Sequence, residues 1–580
     1  MQRNTKKNKV IAIMLDEIGM EFSKELIKDV IDAIPNGENI RLVTLVGKYI
    51  DVADPNDSTR MYKRVYNSIF ELGELCDIDG AIIHLGSLSK SYSRIINSGY
   101  LKHFLDIPKV FVTSDIEGET VINYNNEPGI REAVEYLVNV EGLTKFCMLG
   151  GRDDNFGANS RKEIFTSCLA ENNISFCEKN YQKTGMSENT EREADILLNN
   201  NPDVQAIFCV NDAVAQGLYA AMKKRELLPG KDIFIFAFDN THISSEVYPT
   251  LSSIGADKSS LGRKAMEVLL DKLKGREVSS ELVHTKLYSR ESLYYEMYEY
   301  TILEMRNMDA DFIYRMFDDC FYRYGNADSN RENINLKRLF YEYISEMLFA
   351  LRRKYMDREQ FERLCGLINI FFENGGMNYT DATKILSRID RLQGSMNLMA
   401  GSSSAITMIN RLFTHMKDRV IYVLSEQRIN EKSAALEHQK RMQDFMVECS
   451  EAKSNSPEDI DYIFRNIDKL GIDNGVVYLF ENPVEYNIRK YADFPEYINL
   501  RCAIRSGEIY VIPKERQKIP LREIFVRNEL PAKCRGYSVF SLFDNALIYG
   551  FLLCEINDDT CDRGEYLSME LANAISKAGR

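Results

Sequence analysis

The sequence is poor in the features that mark secreted, membrane-spanning or disulfide-rich chains. The apolar run nearest its start, residues 10–15, is only six residues long and ends at Asp16. That run is too short for the core of a signal peptide or for a bilayer span. The 12 cysteines are scattered from Cys76 to Cys561 without a Cys-x-x-Cys pair. We therefore expect reduced, mostly buried thiols and a cytoplasmic protein with no membrane association.

Signatures of metal, cofactor and catalytic sites are also missing. The 6 histidines are dispersed, and no cysteines lie near them at ligand spacing, so we expect no metal and no cofactor. The chain has no P-loop, Gly-x-Ser-x-Gly elbow, His-Glu-x-x-His, GGDEF or kinase motif. Residues 150–154 (GGRDD) lack the spaced glycines and the Lys-Ser/Thr of a phosphate loop, and they indicate a strand-to-helix turn. We therefore expect no enzymatic activity.

Positively charged residues are fewer than negatively charged ones. The net charge is -14 and the pI is about 5.3, whereas a surface that binds nucleic acid through its phosphates needs clustered lysine and arginine. The net charge does not exclude a local basic patch. With 44% hydrophobic and 28% charged residues the composition is that of a globular chain, and 580 residues are too many for one core.

Residues 9–292 predict an α/β fold with doubly wound parallel sheets, because short β-rich runs alternate there with amphipathic helical stretches. Ligands of such sheets bind beyond the carboxyl ends of the strands, so polar residues that directly follow a strand are the first candidates for contacts. The predicted strands include residues 81–85, 110–113, 145–149, 206–210 and 233–238.

An ordered series of short signatures accompanies these strands. The series reads VIAIMLD at 10–16, DGAII at 79–83, PKVFV at 108–112, RKEIF at 161–165, NDAVAQG at 211–217, AFDN at 237–240, PTLSSI at 249–254, LG at 261–262 and RES at 290–292. This order strongly resembles the effector-binding core of LacI/GalR-type repressors and type I periplasmic binding proteins. The resemblance implies a bilobed domain over residues 9–292 with a ligand cleft between its lobes.

The resemblance also implies which residues contact the ligand. Arg161 would reach a hydroxyl or carboxylate of the effector, Asn211 or Asp212 would supply a polar side chain, Asp239 would supply an acceptor, and Phe22 would stack on a sugar or base face. An arginine fork, short carboxylate or amide groups and an aromatic surface together suit a polyol.

Two of these residues have alternative roles. Asp212 would cap a helix that begins at Ala213, and Asp239 would stabilise a turn with Asn240. The chain also departs from the family pattern, because Ile164 replaces the glycine of the R-x-x-G-F motif and GLTK at 142–145 replaces a customary Gly-His. The identity of the ligand therefore does not carry over.

The rest of the chain divides into three parts. Residues 293–424 predict a helical bundle, with apolar stripes such as the one from Leu336 to Leu351 and helix ends at 325–329 and 375–378. Residues 425–456 predict a coiled-coil-like signalling helix, with Leu436, Met442, Phe445, Met446 and Cys449 on loosely heptad-like positions. Residues 457–580 resemble a GAF domain, with strands at 476–480, 509–512, 539–543 and 549–555 and a closing helix at 563–577.

Together these features predict a ligand sensor that acts in signal transduction or transcription regulation. We expect it to bind a small polar, sugar-like metabolite, to work as a homodimer, and to contain a segment, residues 9–292, that folds alone. A conventional repressor has a helix-turn-helix of roughly fifty residues before its core, and only 9 residues precede Val10 here. DNA contact is therefore expected only through a domain or partner outside this chain. The alternative is the input portion of a signalling enzyme, such as a diguanylate cyclase, whose catalytic domain is absent.

Overall fold

The first half of the protein is a pair of α/β lobes. The structure is a computed structural model, and it describes residues 9–48, 50, 58–84, 104, 106–114, 116–256, 260–293, 300–321, 324, 335–353, 357–380, 382–451, 462–487, 492–527 and 534–578. In chain order this half contains β1 (Lys9–Leu15), α1 (Glu21–Asp32), β2 (Ile40–Val46), α2 (Arg60–Tyr66), α3 (Leu72–Leu75), β3 (Gly80–His84), β4 (Lys109–Val112), β5 (Val121–Asn125), α4 (Asn126–Asn139), β6 (Phe146–Gly150), α5 (Phe156–Glu171), β7 (Tyr181–Lys183), α6 (Glu191–Asn200), β8 (Ala206–Cys209), α7 (Asp212–Lys224), β9 (Phe234–Phe238), α8 (Ile243–Glu246), β10 (Ser252–Ala256), α9 (Leu261–Leu273) and β11 (Glu281–Tyr288).

The first lobe is a parallel sheet in the order β2-β1-β3-β4-β5, completed by the first half of β11. Every residue of β1 after Lys9 is buried, as expected for a strand that is covered on both faces and therefore reads as a continuous apolar run. Helices α1, α2, α3 and α9 pack on this sheet.

The second lobe is a sheet in the order β7-β6-β8-β9-β10, with the second half of β11 antiparallel at its edge. Helices α4 to α7 contribute to its separate apolar core. The chain crosses between the lobes after β5, between β10 and α9, and along β11, which pairs with β5 through residues 281–284 and with β10 through residues 285–288. The predicted class, bilobed doubly wound parallel sheets, is confirmed.

A helical region follows the two lobes. It contains α10 (Ile302–Arg306), α11 (Ala310–Cys320), α12 (Leu336–Arg353), α13 (Arg358–Glu373), α14 (Ala382–Met399) and α15 (Ser403–Glu451). The stripe predicted from Leu336 to Leu351 is the buried face of α12. The predicted helix end at 375–378 follows α13, where Gly375 has a φ of 85° that glycine adopts without strain. The other predicted helix end, at 325–329, lies outside the described residues.

Helix α15 is continuous for 49 residues, so no break separates the bundle from the predicted signalling helix at 424/425. The predicted apolar stripe of that helix has a buried part and an exposed part. Met442 and Phe445 are buried against the last domain of the chain, whereas Leu436 and Met446 are exposed. Whether residues 425–456 act as a coiled coil between chains stays a prediction, and the boundary at 456/457 lies outside the described residues.

The terminal domain, residues 462–578, is an antiparallel sheet closed by a long helix. Its strands run in the order β16-β17-β12-β13, and β14 and β15 share the outer edge of β13. The four predicted strands and the closing helix are present, and β13 and β15 are additional. The GAF-like assignment stays a prediction. The elements are β12 (Gly475–Glu485), β13 (Tyr497–Arg505), β14 (Glu508–Val511), α16 (Lys514–Gln517), β15 (Lys518–Pro520), β16 (Gly536–Asp544), β17 (Leu547–Glu555) and α17 (Asp558–Ala578).

The sequence did not predict how the terminal domain joins the first lobe. Strand β16 pairs in parallel with β2, the edge strand of the first lobe, and the two cores merge into one apolar cluster. Arg41 on β2 is 5% exposed and donates two hydrogen bonds of 2.7 Å to the carbonyl oxygens of Phe525 and Arg527. We call this junction the seam. Residues 9–292 on their own would expose the edge of β2 and part of the shared apolar core. We therefore no longer expect this segment to be stable alone.

Among the described helices, none combines the length and the apolar character that crossing a membrane requires.

Candidate functional site

A cleft of about 370 Å³ lies between the two lobes. Its lining comes almost entirely from residues that follow the carboxyl ends of parallel strands in both lobes, as the strand-end rule requires. The lining residues are Asp16, Glu17, Met20, Phe22, Ser23, His84, Thr113, Asn123, Tyr124, Asn126, Arg152, Asn155, Phe156, Gly157, Arg161, Gly185, Met186, Ser187, Asn211 and Asp239. Four of the five residues singled out from the sequence are among them.

Arg161 and Asp239 form a buried ion pair at the wall of this cleft. The Arg161 Nη2 lies 2.8 Å from the Asp239 Oδ1, and its Nη1 donates to the carbonyl oxygen of Val210 at 2.7 Å. The guanidinium also covers the ring of Phe238, with 3.7 Å between its Cζ and the ring centroid. Asp239 has a φ of 100°, a conformation that residues other than glycine rarely adopt without support. The pair therefore holds the Phe-Asp turn in place as well as facing the cleft.

The neighbouring pair Asn211 and Asp212 divides its roles. Asn211 lines the cleft and caps α7, because its Oδ1 accepts from the backbone N–H of Val214 at 2.9 Å. Asp212 does not line the cleft. It is 1% exposed and accepts hydrogen bonds from the Thr241 N–H and hydroxyl and from the Ser253 hydroxyl. Burial raises the pKa of Asp212 to about 7, despite these donors. The predicted capping role belongs to Asn211, and Asp212 ties the start of α7 to Thr241 and to Ser253 on β10.

Phe22 lies on the first-lobe side of the cleft, against His84. Their ring centroids are 4.9 Å apart, and the Nδ1 of His84 lies 2.8 Å from the Thr113 hydroxyl. Burial lowers the pKa of His84 to about 4, so this imidazole is neutral near pH 7. Phe22 thus offers an apolar face beside uncharged polar groups.

Asn126 brings an unusual acceptor to the cleft. Its residue is 6% exposed, and its Nδ2 donates to the Ser160 hydroxyl at 3.1 Å. Its Oδ1 is buried and has no hydrogen-bond partner among the described residues. A buried acceptor without a donor costs free energy, and such groups in native proteins call for an explanation.

The last signature of the series, at 290–292, is structural. Arg290 donates to the carbonyl oxygen of Leu251 and to the Asn240 Oδ1, each within 2.9 Å. Ser292 accepts from the backbone N–H of Ser252 and donates to a carbonyl oxygen of the second lobe. This segment therefore braces the turn that carries Asp239, and it does not reach the cleft itself.

Several cleft residues escaped the sequence analysis. His84 is the last residue of β3, Thr113 and Asn155 follow β4 and β6, and Asn123 lies within β5. The strand-end rule applied to every strand would therefore have found most of them. Asn126 directly follows β5, so the same rule would have named it, but its unpaired Oδ1 is visible only in the packing.

The fold and the cleft define a two-lobed small-molecule binding domain. Residues 134–293 match the family model of the periplasmic binding protein-like domain, which agrees with that class. The match covers the second lobe and the return to β11. The two lobes thus have the periplasmic-binding-protein-like fold that the sequence signatures indicated.

The curated relatives are transcription regulators. Over 226 residues the chain is 26% identical to the HTH-type transcriptional repressor PurR of Vibrio vulnificus, a match that covers 37% of this chain and 64% of that protein, less than two thirds of its length. It is 24% identical over 262 residues to the HTH-type transcriptional regulator IdnR of Escherichia coli, covering 44% of this chain and 73% of that protein. These matches support the LacI/GalR-type resemblance of the first half.

Solved structures of similar proteins include a lac repressor dimer bound to operator and the anti-inducer ONPF, at 19% identity and a TM-score of 0.41. That match covers 50% of this chain and 96% of the other. A complex of the transcriptional regulator CelR with cellobiose is 17% identical, with a TM-score of 0.40, and covers 49% of this chain and 86% of the other.

Proposed function

We propose that the protein is a cytoplasmic, non-enzymatic sensor whose cleft binds a small, uncharged polyhydroxylated metabolite. Cleft closure around that ligand would shift an equilibrium between open and closed lobes. The single observation that carries the ligand class is the unpaired Oδ1 of Asn126, because a ligand hydroxyl is a donor that would satisfy this acceptor.

The charges of the cleft support an uncharged ligand. Asp16, Glu17 and Asp239 contribute three carboxylates, against two guanidinium groups from Arg152 and Arg161. Both guanidinium groups already pair with carboxylates, Arg161 with Asp239 and Arg152 with Asp154. A phosphate or carboxylate on the ligand would meet a net negative wall, whereas hydroxyl groups find acceptors there.

The aromatic residue on the first-lobe side of the cleft suits the apolar face of a ring. Phe22 and His84 stand side by side, and the neutral imidazole adds a hydrogen-bonding group without adding charge. Asn123, Asn155 and Asn211 add amides around the same space. This mixture of one flat apolar surface and many short polar groups is typical of sites for sugars and related polyols.

A thermal-shift panel of matched neutral and charged compounds tests this proposal. Glucose, ribose and myo-inositol would be compared with glucose 6-phosphate, ribose 5-phosphate and gluconate, and the panel would extend to other neutral sugars and nucleosides. A ligand at a hundredfold excess over its Kd adds about 2.7 kcal/mol, which raises Tm by about 5–10 °C in a domain of this size. We expect shifts only among neutral compounds.

Asn126→Ala should reduce the shift, because it removes the acceptor. Asn397→Ala is the matched control, since Asn397 has a similarly buried, unpaired Oδ1 in the helical region. A panel in which only phosphorylated or acidic compounds stabilise the protein would contradict the proposed ligand class.

The regulator names of the relatives favour an output in transcription or signalling over catalysis. We propose that the chain forms the sensing part of a regulatory assembly, and that any contact with DNA is made by a domain or partner outside these residues. The second candidate, the input portion of a signalling enzyme such as a diguanylate cyclase, shares the same sensing step. Measuring which partner responds to a bound sugar distinguishes the two outputs.

We propose that the chain works as a homodimer joined along α15. On this helix Tyr422, Ile429 and Leu436 recur every seven residues and are 49%, 63% and 58% exposed, which forms an exposed apolar stripe. A heptad stripe of this kind is typical of paired helices. Lys432 and Glu437 flank the stripe five residues apart, the spacing at which opposite charges meet across a parallel pair.

Light scattering tests this dimer. We expect twice the chain mass of 66.9 kDa for the native protein and a single chain mass for the double variant Ile429→Asp with Leu436→Asp. Leu303→Asp is the control, because Leu303 is equally exposed but lies on α10. A native protein that is monomeric at micromolar concentration would exclude the dimer.

A further inference from the structure

Two lysines of the first lobe, Lys24 and Lys48, each stand between a carboxylate on the cleft side and a carboxylate on α17. Helix α17 closes the terminal domain and lies across the seam from the cleft. The two carboxylates on α17 are Asp562 and Glu565, which are three residues apart and therefore share one face of that helix.

The bridge through Lys48 begins in the cleft itself. Glu17 lines the cleft, and its Oε1 lies 3.6 Å from the Lys48 Nζ. The same Nζ lies 2.5 Å from the Glu565 Oε2, and the other oxygen of Glu565 accepts from the Tyr62 hydroxyl at 2.9 Å. Burial raises the pKa of Glu17, and the nearby Lys48 opposes that rise. The Lys48 ammonium thus serves two carboxylates, one of which faces the ligand space.

The bridge through Lys24 begins in the second lobe. The His242 Nδ1 lies 2.9 Å from the Glu21 Oε2, a contact that joins the second lobe to α1 of the first. The Lys24 Nζ lies 2.8 Å from the other oxygen of Glu21 and 2.5 Å from the Asp562 Oδ1. Burial acts to lower the pKa of Lys24, yet its hydrogen bonds to Asp562 and Glu21 leave the pKa above its usual value.

The seam that these bridges cross is not a fully satisfied core. Thr44 on β2 and Ser538 on β16 are register partners, and the hydroxyl oxygens of both are buried without a hydrogen-bond partner among the described residues. The same holds for the hydroxyls of Tyr66 and Ser541. Buried polar atoms without partners weaken a junction relative to an apolar one, so the position of α17 against the first lobe can respond to small changes in attraction.

We propose that Lys24 and Lys48 couple the state of the cleft to α17, because each ammonium interacts at once with a carboxylate on the cleft side and with a carboxylate on α17. A ligand hydroxyl that binds Glu17, or a closer approach of His242 to Glu21, weakens the contact of that carboxylate with its lysine. The lysine then interacts more strongly with the carboxylate on α17, which tightens that helix against the first lobe. The use of this coupling as a signal rests on the proposed function, but its physical content needs no ligand. By linkage, changes at α17 alter the affinity of the cleft equally.

Hydrogen exchange of α17 amides in the intact, ligand-free protein tests the coupling. An exposed or half-exposed ion pair contributes on the order of 0.2–1 kcal/mol, so each change should alter exchange by about 1.4- to fivefold. Lys24→Met should accelerate exchange in α17, because Asp562 loses its partner. Glu21→Gln should slow it, because Lys24 is then left to Asp562. His242→Ala should accelerate it, because Glu21 returns wholly to Lys24.

The double variant decides between coupling and coincidence. In the Lys24→Met background, Glu21→Gln and His242→Ala should have no further effect on α17, because the connecting ammonium is gone. Lys28→Met is the matched control, since Lys28 lies one turn further along α1 and makes no ion pair among the described residues. We expect it to leave α17 unchanged.

An unchanged α17 in Glu21→Gln, or the same effect with and without Lys24, would overturn the proposal. Because no ligand enters this experiment, a failed sugar screen does not affect its outcome. Conversely, a protein that binds a neutral sugar but shows no coupling would retain the proposed function and lose only this inference.

Discussion

Removal of the terminal domain is expected to destabilise the first lobe strongly. A chain of residues 9–293 would expose the β2 edge and would leave Arg41 without the carbonyl oxygens of Phe525 and Arg527. Hydrogen bonds from a charged group contribute about 1.5–3 kcal/mol each. We expect a loss of at least about 3 kcal/mol, or roughly 6–12 °C in Tm, with aggregation through the open edge strand. Thermal unfolding followed by circular dichroism measures the effect.

The control is a chain that keeps the seam and omits the helical region. Residues 9–293 joined by a flexible linker to residues 438–578 retain Met442, Phe445 and the whole terminal domain. This version should recover most of the lost stability. A free 9–293 fragment that is soluble and melts with the intact protein would show that the seam contributes little.

Substitution of Arg161 is expected to have the second large effect, on both stability and binding. Arg161→Met leaves Asp239 buried without its partner and frees a turn held at positive φ. Breaking a buried pair from one side costs about 3–5 kcal/mol. The sequence analysis assigned Arg161 a contact with the ligand, and its 2.7 Å bond to the Val210 carbonyl oxygen and its pairing with Asp239 also make it part of the cleft wall.

The pair can be separated into its two roles. Arg161→Met combined with Asp239→Asn removes both charges, so much of the lost stability should return, whereas sugar binding should stay weak because the wall has changed shape. Chemical denaturation gives the first quantity and calorimetry the second. Full recovery of binding in the double variant would mean that neither side chain faces the ligand.

The architecture of the first half was accessible from sequence because its signals are local. Each buried strand reads as an apolar run, and Asn211 and Asp239 follow such runs closely. Arg161 and Phe22 lie on helices α5 and α1, and only the family resemblance named them. Asp212 could not be separated from Asn211 by sequence, because both follow β8 and only packing shows that Asp212 turns towards Thr241 and Ser253.

The junction between the first lobe and the terminal domain had no such local signal. Strands β2 and β16 are nearly 500 residues apart in the chain, as the register pair Leu42 and Gly536 shows, and each reads as an ordinary buried strand. Nothing in a strand's own sequence says which distant edge it will pair with. For the same reason the sequence places Met442 and Phe445 on the apolar positions of a coiled-coil-like helix, whereas in the structure those residues pack on the terminal domain.

A calorimetric titration of the intact protein tests the central claim most directly. The titrant is the neutral sugar or polyol that gives the largest thermal shift, compared with its own phosphate ester and repeated on Asn126→Ala and Asn397→Ala. The account predicts saturable binding of the neutral compound, at least tenfold weaker binding of the phosphate, about 1.4 kcal/mol, and weakened binding in Asn126→Ala alone. Equal or tighter binding of the phosphate ester, with Asn126→Ala unaffected, would contradict it.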